Sequence, residues 1–396
     1  MNSPQQEPIK WRQHLSLDLP KVSPSPLWIH ACSVGEVASV APLIRSLIQQ
    51  GMPLHLTVVT KTGMQHARRC FSDQISISYL PWDLPTRCAK LFKHIQPRAL
   101  LIAETEFWPG LLKAAKKHHT PVISINARIS DRSFPRYQKT SFYWRRVLSG
   151  VNLFLAQSDI DAQRLEKMGI PSQRIQSIGN LKYATPRPEV DLADLQQKLD
   201  PSKQRPIIVL ASSHENEEQQ ILEQLAQWQS QYPNLLLVIV PRHPQRFDTV
   251  AELIHDFGFS VKRWSQDDPR PVDVLLVDAM GVLNQLYAIC DIAIIAGSFS
   301  NIGGHNPLEA AIWGKGVLTG PYVQNFRQIM QEMQQQGAAI ICKDKNELAS
   351  SVIQLLQNDS QRLHLHRAAE KVMENKERIL QKTLTELHKI IPSITA

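Results

Sequence analysis

The chain has 396 residues, of which 43% are hydrophobic and 20% charged, a composition typical of a globular protein and not of a disordered or fibrous one. This length exceeds what one hydrophobic core usually supports, so we expect two domains. The five cysteines are scattered without C-x-x-C spacing and no apolar run reaches about 18–20 residues, which argues against a disulfide framework, a zinc site and a membrane span.

The net charge of +8 is unevenly distributed along the chain. Residues 1–150 hold 20 Lys and Arg against 8 Asp and Glu, whereas the remainder holds 24 against 28. A basic first part favours an anionic partner there, either nucleic acid, an acidic lipid surface or a phosphorylated substrate. A surplus of charge spread over a solvated surface is the alternative that needs no partner.

Short apolar segments alternate with helical patterns through the first part of the chain. The predicted strands are 27–31, 54–59, 75–80, 99–103, 122–125, 151–155 and 175–178. The predicted helices are 36–50, 62–70, 85–94, 108–119, 135–148 and 159–168. Strands that are apolar throughout and alternate with helices predict a parallel sheet covered on both faces, which is a Rossmann-like domain of 1–182.

A second alternation follows a polar, proline-bearing stretch, 183–203, that is predicted to be an interdomain linker. The predicted strands are 207–211, 235–240, 272–277, 292–296 and 316–318. The predicted helices are 215–229, 245–257, 281–290, 307–313 and 324–335, followed by a helical tail, 345–391. The fold class is therefore α/β, with a second Rossmann-like domain, 204–396, that faces the first across a cleft and whose last helices pack back on the first domain.

Ligands of open parallel sheets bind beyond the carboxyl ends of the strands, so the residues that follow each strand are the candidates for chemistry. Ser33, Gly35 and Glu36 follow the first strand, in a turn that leads into a helix. A carboxylate at this place can act as a general base toward a hydroxyl group. The alternative is that Glu36 only stabilises the start of the helix.

Two carboxylates and an indole, those of Glu104, Glu106 and Trp108, follow the strand 99–103. Paired carboxylates can divide acid and base roles when their pKa values differ. A metal site is less favoured, because only two hard ligands are visible. We therefore expect this segment to bind substrate.

Three strand ends of the second domain carry groups suited to anions. Ser212 and Ser213 follow one strand and open a helix, and Arg242, His243 and Pro244 follow the next. The loop after the strand 292–296 carries Gly303, Gly304, His305, Asn306 and Glu309. Glycines let a backbone approach a ligand closely, so this convergence predicts a nucleotide site. The alternative for Asn306 and Glu309 is a capping box around Pro307.

Some other motifs are absent or weak. No G-x-G-x-x-G follows a strand and no Walker A motif occurs, which disfavours NAD enzymes and P-loop NTPases. Asp159 and Asp161 form a D-x-D pair, but they follow Ser158 at a helix start and are predicted to cap the helix.

Basic and aromatic residues are interleaved over 128–146, which holds six Lys and Arg and five aromatic side chains. This pattern suits a lipid headgroup surface, and it would also suit single-stranded nucleic acid. A partly buried helix with a solvated basic face is the alternative.

With these motifs in place, the chain resembles the 3-deoxy-D-manno-octulosonic acid (Kdo) transferases of lipopolysaccharide synthesis. The similar stretches occur in the family order between His30 and Lys315: HACSVGEV, YLPWDLP, AETEFWP, INARISDRSFPRY, AQSDIDAQRL, GNLKY, ASSHENEE, VPRHPQRF, DAMGVLNQLYAICD and GGHNPLEAAIWGK. The resemblance implies the GT-B glycosyltransferase fold and an inverting, metal-independent transfer from CMP-Kdo to a lipid A precursor of the lipid IVA type.

The resemblance also implies roles for residues. Glu36 would be the base, Glu104 or Glu106 would assist at the sugar or acceptor, and Arg242, Asn306 and Glu309 would hold CMP. The remaining candidates for substrate binding are Ser33, Gly35, Trp108, Arg128, Ser212, Ser213, His243, Pro244, Gly303, Gly304 and His305. We expect no cofactor and no metal, since CMP-Kdo is the donor substrate.

The expected partners are CMP-Kdo, a lipid A precursor and an anionic membrane surface, and not nucleic acid. Members of the family usually begin with an apolar anchor, whereas this chain begins MNSPQQEPIK, so we expect a cytoplasmic protein attached peripherally to the inner face of the inner membrane. Two other functions remain open from the sequence: a nucleotide-sugar epimerase of the same fold, and a non-catalytic protein that binds a nucleotide sugar.

Overall fold

The computed structural model describes residues 10–71, 73–184, 187, 190–199, 205–266 and 270–391. The chain divides into two compact units, Met1–Thr185 with Lys376–Ala396, and Pro186–Asn375. Within the described ranges, no helix combines the length and the apolar character needed to cross a bilayer. The polar start of the chain, MNSPQQEPI, lies outside the described residues.

The first unit is built on a seven-stranded parallel sheet in the order β3-β2-β1-β4-β5-β6-β7. Its strands are β1 (Leu27–His30), β2 (Leu54–Val58), β3 (Ser76–Tyr79), β4 (Ala99–Ala103), β5 (Val122–Ala127), β6 (Leu153–Ala156) and β7 (Ile175–Ser177). Its helices are α1 (Lys10–His14), α2 (Val34–Gln49), α3 (Lys61–Phe71), α4 (Pro85–Ile95), α5 (Pro109–Lys117), α6 (Phe134–Lys139), α7 (Ser141–Val147) and α8 (Asp159–Lys167). In register, Leu27 of β1 lies opposite Leu54 and Ala99.

The second unit repeats this plan, with a seven-stranded parallel sheet in the order β10-β11-β9-β8-β12-β13-β14. Its strands are β8 (Ile207–Ser213), β9 (Leu236–Pro241), β10 (Val261–Arg263), β11 (Val274–Leu276), β12 (Ile292–Ile295), β13 (Val317–Thr319) and β14 (Ala339–Ile341). Its helices are α9 (Leu192–Leu199), α10 (Glu217–Gln231), α11 (Phe247–Asp256), α12 (Leu283–Ile289), α13 (Leu308–Ala311), α14 (Arg327–Gln335) and α15 (Lys345–Gln357), and α16 (Asp359–Ile390) ends in the first unit.

The apolar strands are buried because helices cover both faces of each sheet. Every residue of β1, β2, β4 and β5 is buried, and so is every residue of β8 and β9. A strand buried on both faces needs apolar side chains at successive positions, which explains the continuous apolar runs of the sequence.

The end of α16 belongs to the first unit, so the second domain does not run to the C-terminus as one compact body. Leu380, Leu384 and Leu387, with Ile391, join the core of the first unit. Their spacing of three and four residues places them on one face of the helix. The packing of the last helix on the first unit therefore follows from its apolar stripe.

The structure differs from the sequence prediction in several short elements. The predicted linker, 183–203, contains the helix α9, whose Leu195 and Leu199 are buried and which packs against α12. The strands β10 and β14 and the helix α1 were not predicted, because elements of three to five residues carry too little periodicity to detect. The predicted helix 135–148 is divided at Thr140 into α6 and α7, and 307–313 holds only the four residues of α13.

The D-x-D pair lies in the first turn of α8, but the residue that caps this helix is Ser158 and neither aspartate. The hydroxyl of Ser158 accepts a hydrogen bond from the backbone N–H of Asp161 at 3.2 Å. The buried carboxylate of Asp161 accepts another from the backbone N–H of Ile129 at 2.7 Å. Asp161 therefore has a structural role in the first unit.

Candidate functional site

The strand order reverses beside the first strand of each sheet. β1 lies between β2 and β4, and β8 lies between β9 and β12. The chain leaves the two neighbouring strands toward opposite faces at such a point, which opens a crevice at their carboxyl ends. The predicted carboxylates follow β1 and β4, and the predicted glycines follow β12. The predicted serines, which the sequence placed after the strand, are the last two residues of β8.

Glu36 is the third residue of α2, directly after the β1 turn, and is half-buried. Its carboxylate accepts hydrogen bonds from the backbone N–H of Cys32 and from the hydroxyl of Ser33, each at 2.7 Å. The helix-start contact that we gave as the alternative is therefore present. It also fixes the direction of the carboxylate.

Gly35 lies inside α2, and the turn does not itself require a glycine. A Cβ at this position would come no nearer than 4.0 Å to another residue, the nearest atom being the Ser33 hydroxyl oxygen. From the sequence we expected Gly35 in the turn before the helix, whereas the structure places it in the first turn of α2.

Glu104 and Glu106 lie in the turn after β4, and both are partly buried. Burial and the neighbouring Glu36 raise the pKa of Glu106 to about 7, against a smaller opposing effect from the Trp108 indole, which donates to it at 2.9 Å. The same two causes raise the pKa of Glu104, while Arg128 opposes the rise. Glu104 also holds a left-handed backbone, with φ of 50°, which is uncommon for a residue other than glycine.

Cys32, Glu36 and Glu106 form the one group of possible metal ligands found among the described residues, with their donor atoms within 4.8 Å of one another. The two ligands that the sequence indicated were Glu104 and Glu106, so Cys32 and Glu36 are additions and Glu104 is not part of the group. The set mixes a thiol, which suits soft metals, with carboxylates, which suit hard ones. Hydrogen-bond donors already engage both carboxylates, from Ser33 and the Cys32 backbone on one side and Trp108 on the other. This arrangement fits proton chemistry better than metal binding.

The segment 128–146 presents a mixed surface, which we name the basic–aromatic surface. It contains α6 and α7, neither of which has a buried residue. Phe142 is 84% exposed and Tyr143 is 46% exposed, whereas Phe134, Tyr137 and Trp144 pack partly against the core. The segment therefore combines partial burial with exposed aromatic and basic side chains.

The second unit contains a pocket of about 320 Å³ at the carboxyl ends of its central strands. Five of the predicted residues line it: Ser212, Arg242, His305, Asn306 and Glu309. Residues that the sequence reasoning did not single out also line it, among them Met280, Gly281, Asn284 and Phe326. The stretch DAMGVLN was noted in the sequence as part of a motif, and its position after β11 is the signal that could have placed it here.

The other predicted residues of the second unit are not part of the pocket lining. Gly303 and Gly304 have left-handed φ values of 109° and 76°, and a Cβ on Gly303 would lie 2.6 Å from the Asn325 side chain. Ser213 is buried, and its hydroxyl has no hydrogen-bond partner in the described part of the chain. His243 and Pro244 are exposed.

Asn306 and Glu309 contact each other at the pocket. The Asn306 amide approaches the Glu309 carboxylate at 3.5 Å and accepts from the backbone N–H of Leu308 at 3.2 Å. Burial raises the pKa of Glu309, while Asn306 and Arg242 oppose the rise. Of the capping box given as the alternative, only the contact of Asn306 with the Leu308 backbone is observed, and α13 is only four residues long.

Glu217 organises this pocket and was missed by the sequence reasoning. Its buried carboxylate accepts hydrogen bonds from the backbone N–H groups of Gly297, Ser298 and Phe299 at 2.7–3.0 Å, and from that of His214 at 3.1 Å. It therefore joins the loop after β12 to the loop after β8. The only local signal is its position three residues after His214, which is typical of a helix start.

Two solved structures share the fold of the chain. A UDP-GlcNAc 2-epimerase from Neisseria meningitidis bound to UDP-GlcNAc is 15% identical, with 91% of this chain and 100% of that one covered at a TM-score of 0.56. A glycosyltransferase from Rickettsia africae is 16% identical, with 93% and 99% covered at a TM-score of 0.53. The two Rossmann-like domains are thus those of the GT-B fold, which glycosyltransferases and epimerases share.

Sequence comparison shows whether the chain is related to the glycosyltransferases or to the epimerases of this fold. The family model described as 3-deoxy-D-manno-octulosonic-acid transferase (kdotransferase) matches residues 9–185. The 3-deoxy-D-manno-octulosonic acid transferase of Haemophilus influenzae is 35% identical over 91% of this chain and 86% of that protein. The enzyme of the same name from Bordetella pertussis is 33% identical over 87% and 82%. The chain belongs to the Kdo transferase family and is a glycosyltransferase.

Proposed function

We propose that this enzyme transfers Kdo from CMP-Kdo to a lipid A precursor of the lipid IVA type, by an inverting single displacement that needs no metal. The observation that carries the proposal is the group of three carboxylates, Glu36, Glu104 and Glu106, at the point where the strand order of the first sheet reverses. A sugar hydroxyl is a poor nucleophile at neutral pH, so its transfer needs a positioned proton acceptor.

The pocket of the second unit would hold the donor. Arg242 supplies a planar, permanently charged group that suits a phosphate, and it is close enough to Glu309 to oppose the rise that burial causes in the pKa of that residue. Glu309 and the Asn306 amide offer an acceptor and a donor for nucleoside hydroxyl or base groups. The volume of about 320 Å³ is at the lower end for small-molecule sites and matches a nucleotide part better than a whole donor.

The transfer can be written as one balanced step. The acceptor hydroxyl oxygen forms a bond to the anomeric carbon of Kdo, and the bond from that carbon to the phosphate oxygen of CMP breaks. The hydroxyl proton passes to the Glu36 carboxylate, and CMP leaves with the bonding electron pair. Glu106, whose pKa is about 7, can hold or return a proton near neutral pH.

The basic–aromatic surface would bring the enzyme to its lipid acceptor. Exposed Phe142 and Tyr143 suit the interfacial region of a bilayer, and Arg145 and Arg146 suit anionic headgroups. We therefore propose peripheral attachment to the cytoplasmic face of the inner membrane. An anionic lipid surface, and not nucleic acid, is the partner of the basic first domain.

Release of CMP tests the donor and the acceptor together. The enzyme is incubated with CMP-Kdo, with and without a lipid A precursor in mixed micelles, in the presence of EDTA. We expect CMP release that depends on the acceptor and is unaffected by the chelator. Equal release without acceptor, or complete loss with EDTA that added Mg²⁺ restores, would contradict the corresponding part of the proposal.

A further inference from the structure

Two histidines meet beside the pocket of the second unit. His214 follows β8 and His305 lies in the loop after β12. Their Nε2 atoms are 2.8 Å apart, their ring centroids are 5.1 Å apart and their planes differ by 3°, so the two rings are nearly coplanar and meet edge to edge. Only His305 of this pair lines the pocket.

A hydrogen bond between two Nε2 atoms fixes how the protons are distributed. Burial lowers the pKa of both rings, that of His305 to about 4, so both are neutral near pH 7. One Nε2–H then donates and the other Nε2 accepts, and a neutral ring whose Nε2 accepts carries its proton on Nδ1. One of the two histidines must therefore be the Nδ1–H tautomer.

The geometry shows which edge of His305 is available to a ligand. A Cβ built on Gly297 would lie 2.9 Å from Cδ2 and 3.0 Å from Nε2 of His305, so this edge faces protein. The opposite edge carries Nδ1, which has no hydrogen bond to any residue that the structure describes. Since His305 lines the pocket, Nδ1 is the ring nitrogen left for a ligand.

We propose that His214 is a positioning residue of the donor site: its Nε2–H donates to Nε2 of His305, so that His305 presents Nδ1–H to the phosphate of the nucleotide. The inference rests on the proposed function, because it needs a phosphate in this pocket. A phosphate oxygen accepts from Nδ1–H but is repelled by a bare Nδ1. Binding of the anion therefore selects the state in which His214 is the donor.

The charged groups around the pair agree with this assignment. The pKa of His214 is affected electrostatically by Glu217, Glu218, Arg246 and the ring of His243. The backbone N–H of His214 already donates to Glu217. Arg242, which lines the pocket, and His243 both lower the pKa of His305. A bound phosphate would neutralise the positive charge of Arg242. It would also accept a hydrogen bond from Nδ1–H of His305.

Two substitutions of His214 separate positioning from packing. A glutamine places an amide N–H near the site of Nε2 and can still donate, whereas a leucine fills similar space without a donor. We expect H214L to weaken CMP binding and raise the KM for the donor by about 10-fold or more, with a smaller change in kcat, and H214Q to restore most of the loss. His255→Leu, at an exposed position of α11, is the matched control.

The CMP affinities are measured by calorimetry on the full chain. Equal CMP affinity of H214L and the unmodified enzyme would overturn the proposal. So would a loss in H214Q as large as that in H214L, because the donor would then not matter. Thermal unfolding of each variant shows whether it is folded, and since the Glu217 contact uses the backbone of residue 214, both substitutions leave that contact available.

The tautomer itself can be observed by ¹⁵N NMR of labelled imidazole groups, with His305 assigned by His305→Asn. With CMP bound, we expect His305 to carry its proton on Nδ1. A proton on Nε2 of His305 while CMP is bound would overturn the positioning role and leave the proposed function intact. Failure of the unmodified enzyme to bind CMP at all would overturn the proposed donor and this inference with it.

Discussion

Two short hydrogen bonds hold the Glu36 carboxylate, and this is what a general base requires: a fixed direction and a free lone pair. The donors are the Cys32 backbone and the Ser33 hydroxyl, both at 2.7 Å. A glutamine can keep at least one of these contacts through its carbonyl oxygen. It cannot take up the proton from the hydroxyl group of the acceptor substrate. The structural and catalytic roles of Glu36 can therefore be separated.

We predict that Glu36→Gln lowers kcat by about 10²- to 10⁴-fold, the usual contribution of general-base catalysis. The KM for CMP-Kdo should change little, because the proposed nucleotide pocket lies in the second unit. Steady-state kinetics measure both, with Glu166→Gln, at an exposed position of α8, as the matched control. Near-normal turnover in a folded Glu36→Gln enzyme would show that Glu36 is not the general base and would leave Glu104 and Glu106 as the candidates.

The raised pKa of Glu106 makes the stability of the folded protein depend on pH. Its pKa rises from 4.5 to about 7 on folding, chiefly through burial. The folded state then binds more protons than the unfolded state between these values, so this residue lowers stability as pH rises through the window. A Glu106→Gln enzyme can keep the Trp108 contact but does not titrate at this position. We predict that its free energy of unfolding rises by on the order of 2 kcal/mol relative to that of the unmodified enzyme as the pH increases from 4.5 to 8.

Thermal unfolding of the two proteins at several pH values measures this difference. The gap between the two melting temperatures should open mainly between pH 4.5 and pH 7. A gap that does not change with pH would show that burial of Glu106 does not raise its pKa as described.

At the scale of elements, the loop after β12 depends on a carboxylate from another element. Glu217 of α10 accepts from three consecutive backbone N–H groups, those of Gly297, Ser298 and Phe299. Without it these groups would be buried and unpaired, at a cost of about 1–3 kcal/mol each if no water replaces the carboxylate. The nucleotide pocket would lose its shape with the loop.

We predict that Glu217→Ala lowers the melting temperature of the protein and weakens CMP binding together. Glu215→Ala, two residues earlier and exposed, is the control and should leave both unchanged. Differential scanning calorimetry and binding calorimetry give the two values. Full CMP affinity in Glu217→Ala would show that the loop does not need this carboxylate.

The basic–aromatic surface gives a prediction for the α6 and α7 elements. We expect binding to anionic vesicles to weaken as salt rises, and to fall further in an Arg145→Ala, Arg146→Ala enzyme, because each basic residue near an anionic surface contributes about 1 kcal/mol. A Lys371→Ala, Lys382→Ala enzyme removes the same charge from α16 and is the control. Vesicle binding that does not change with salt concentration, or an equal loss of vesicle binding in the control enzyme, would contradict the proposed role of the basic–aromatic surface.

At the scale of the whole molecule, the sequence predicts long, regular features well. The strands Leu27–His30, Ala99–Ala103 and Leu236–Pro241 were placed within a residue or two, because strands buried on both faces must be apolar at every position. The parallel sheets and the positions of the candidate residues at strand ends follow from that. The comparisons confirm the GT-B fold and the family.

The features that sequence reasoning missed depend on distant partners. Glu217 looks like any acid in a helix start, and its role appears only when Gly297, eighty residues later, lies beside it. Cys32 joins Glu36 and Glu106 only because β1 and β4 are neighbours. The helix α9 was hidden because proline and polar residues surround its short apolar stripe.

The most direct test of the account is the product that the enzyme makes. The full chain is incubated with CMP-Kdo and a lipid A precursor, and the lipid fraction is analysed by mass spectrometry beside a reaction with Glu36→Gln. We predict a lipid heavier by the mass of at least one Kdo residue, formed with release of CMP, and little or none of it with Glu36→Gln in the same time. An unchanged lipid in the reaction of the folded, unmodified enzyme, with CMP-Kdo left intact or converted without transfer, would contradict the central claim.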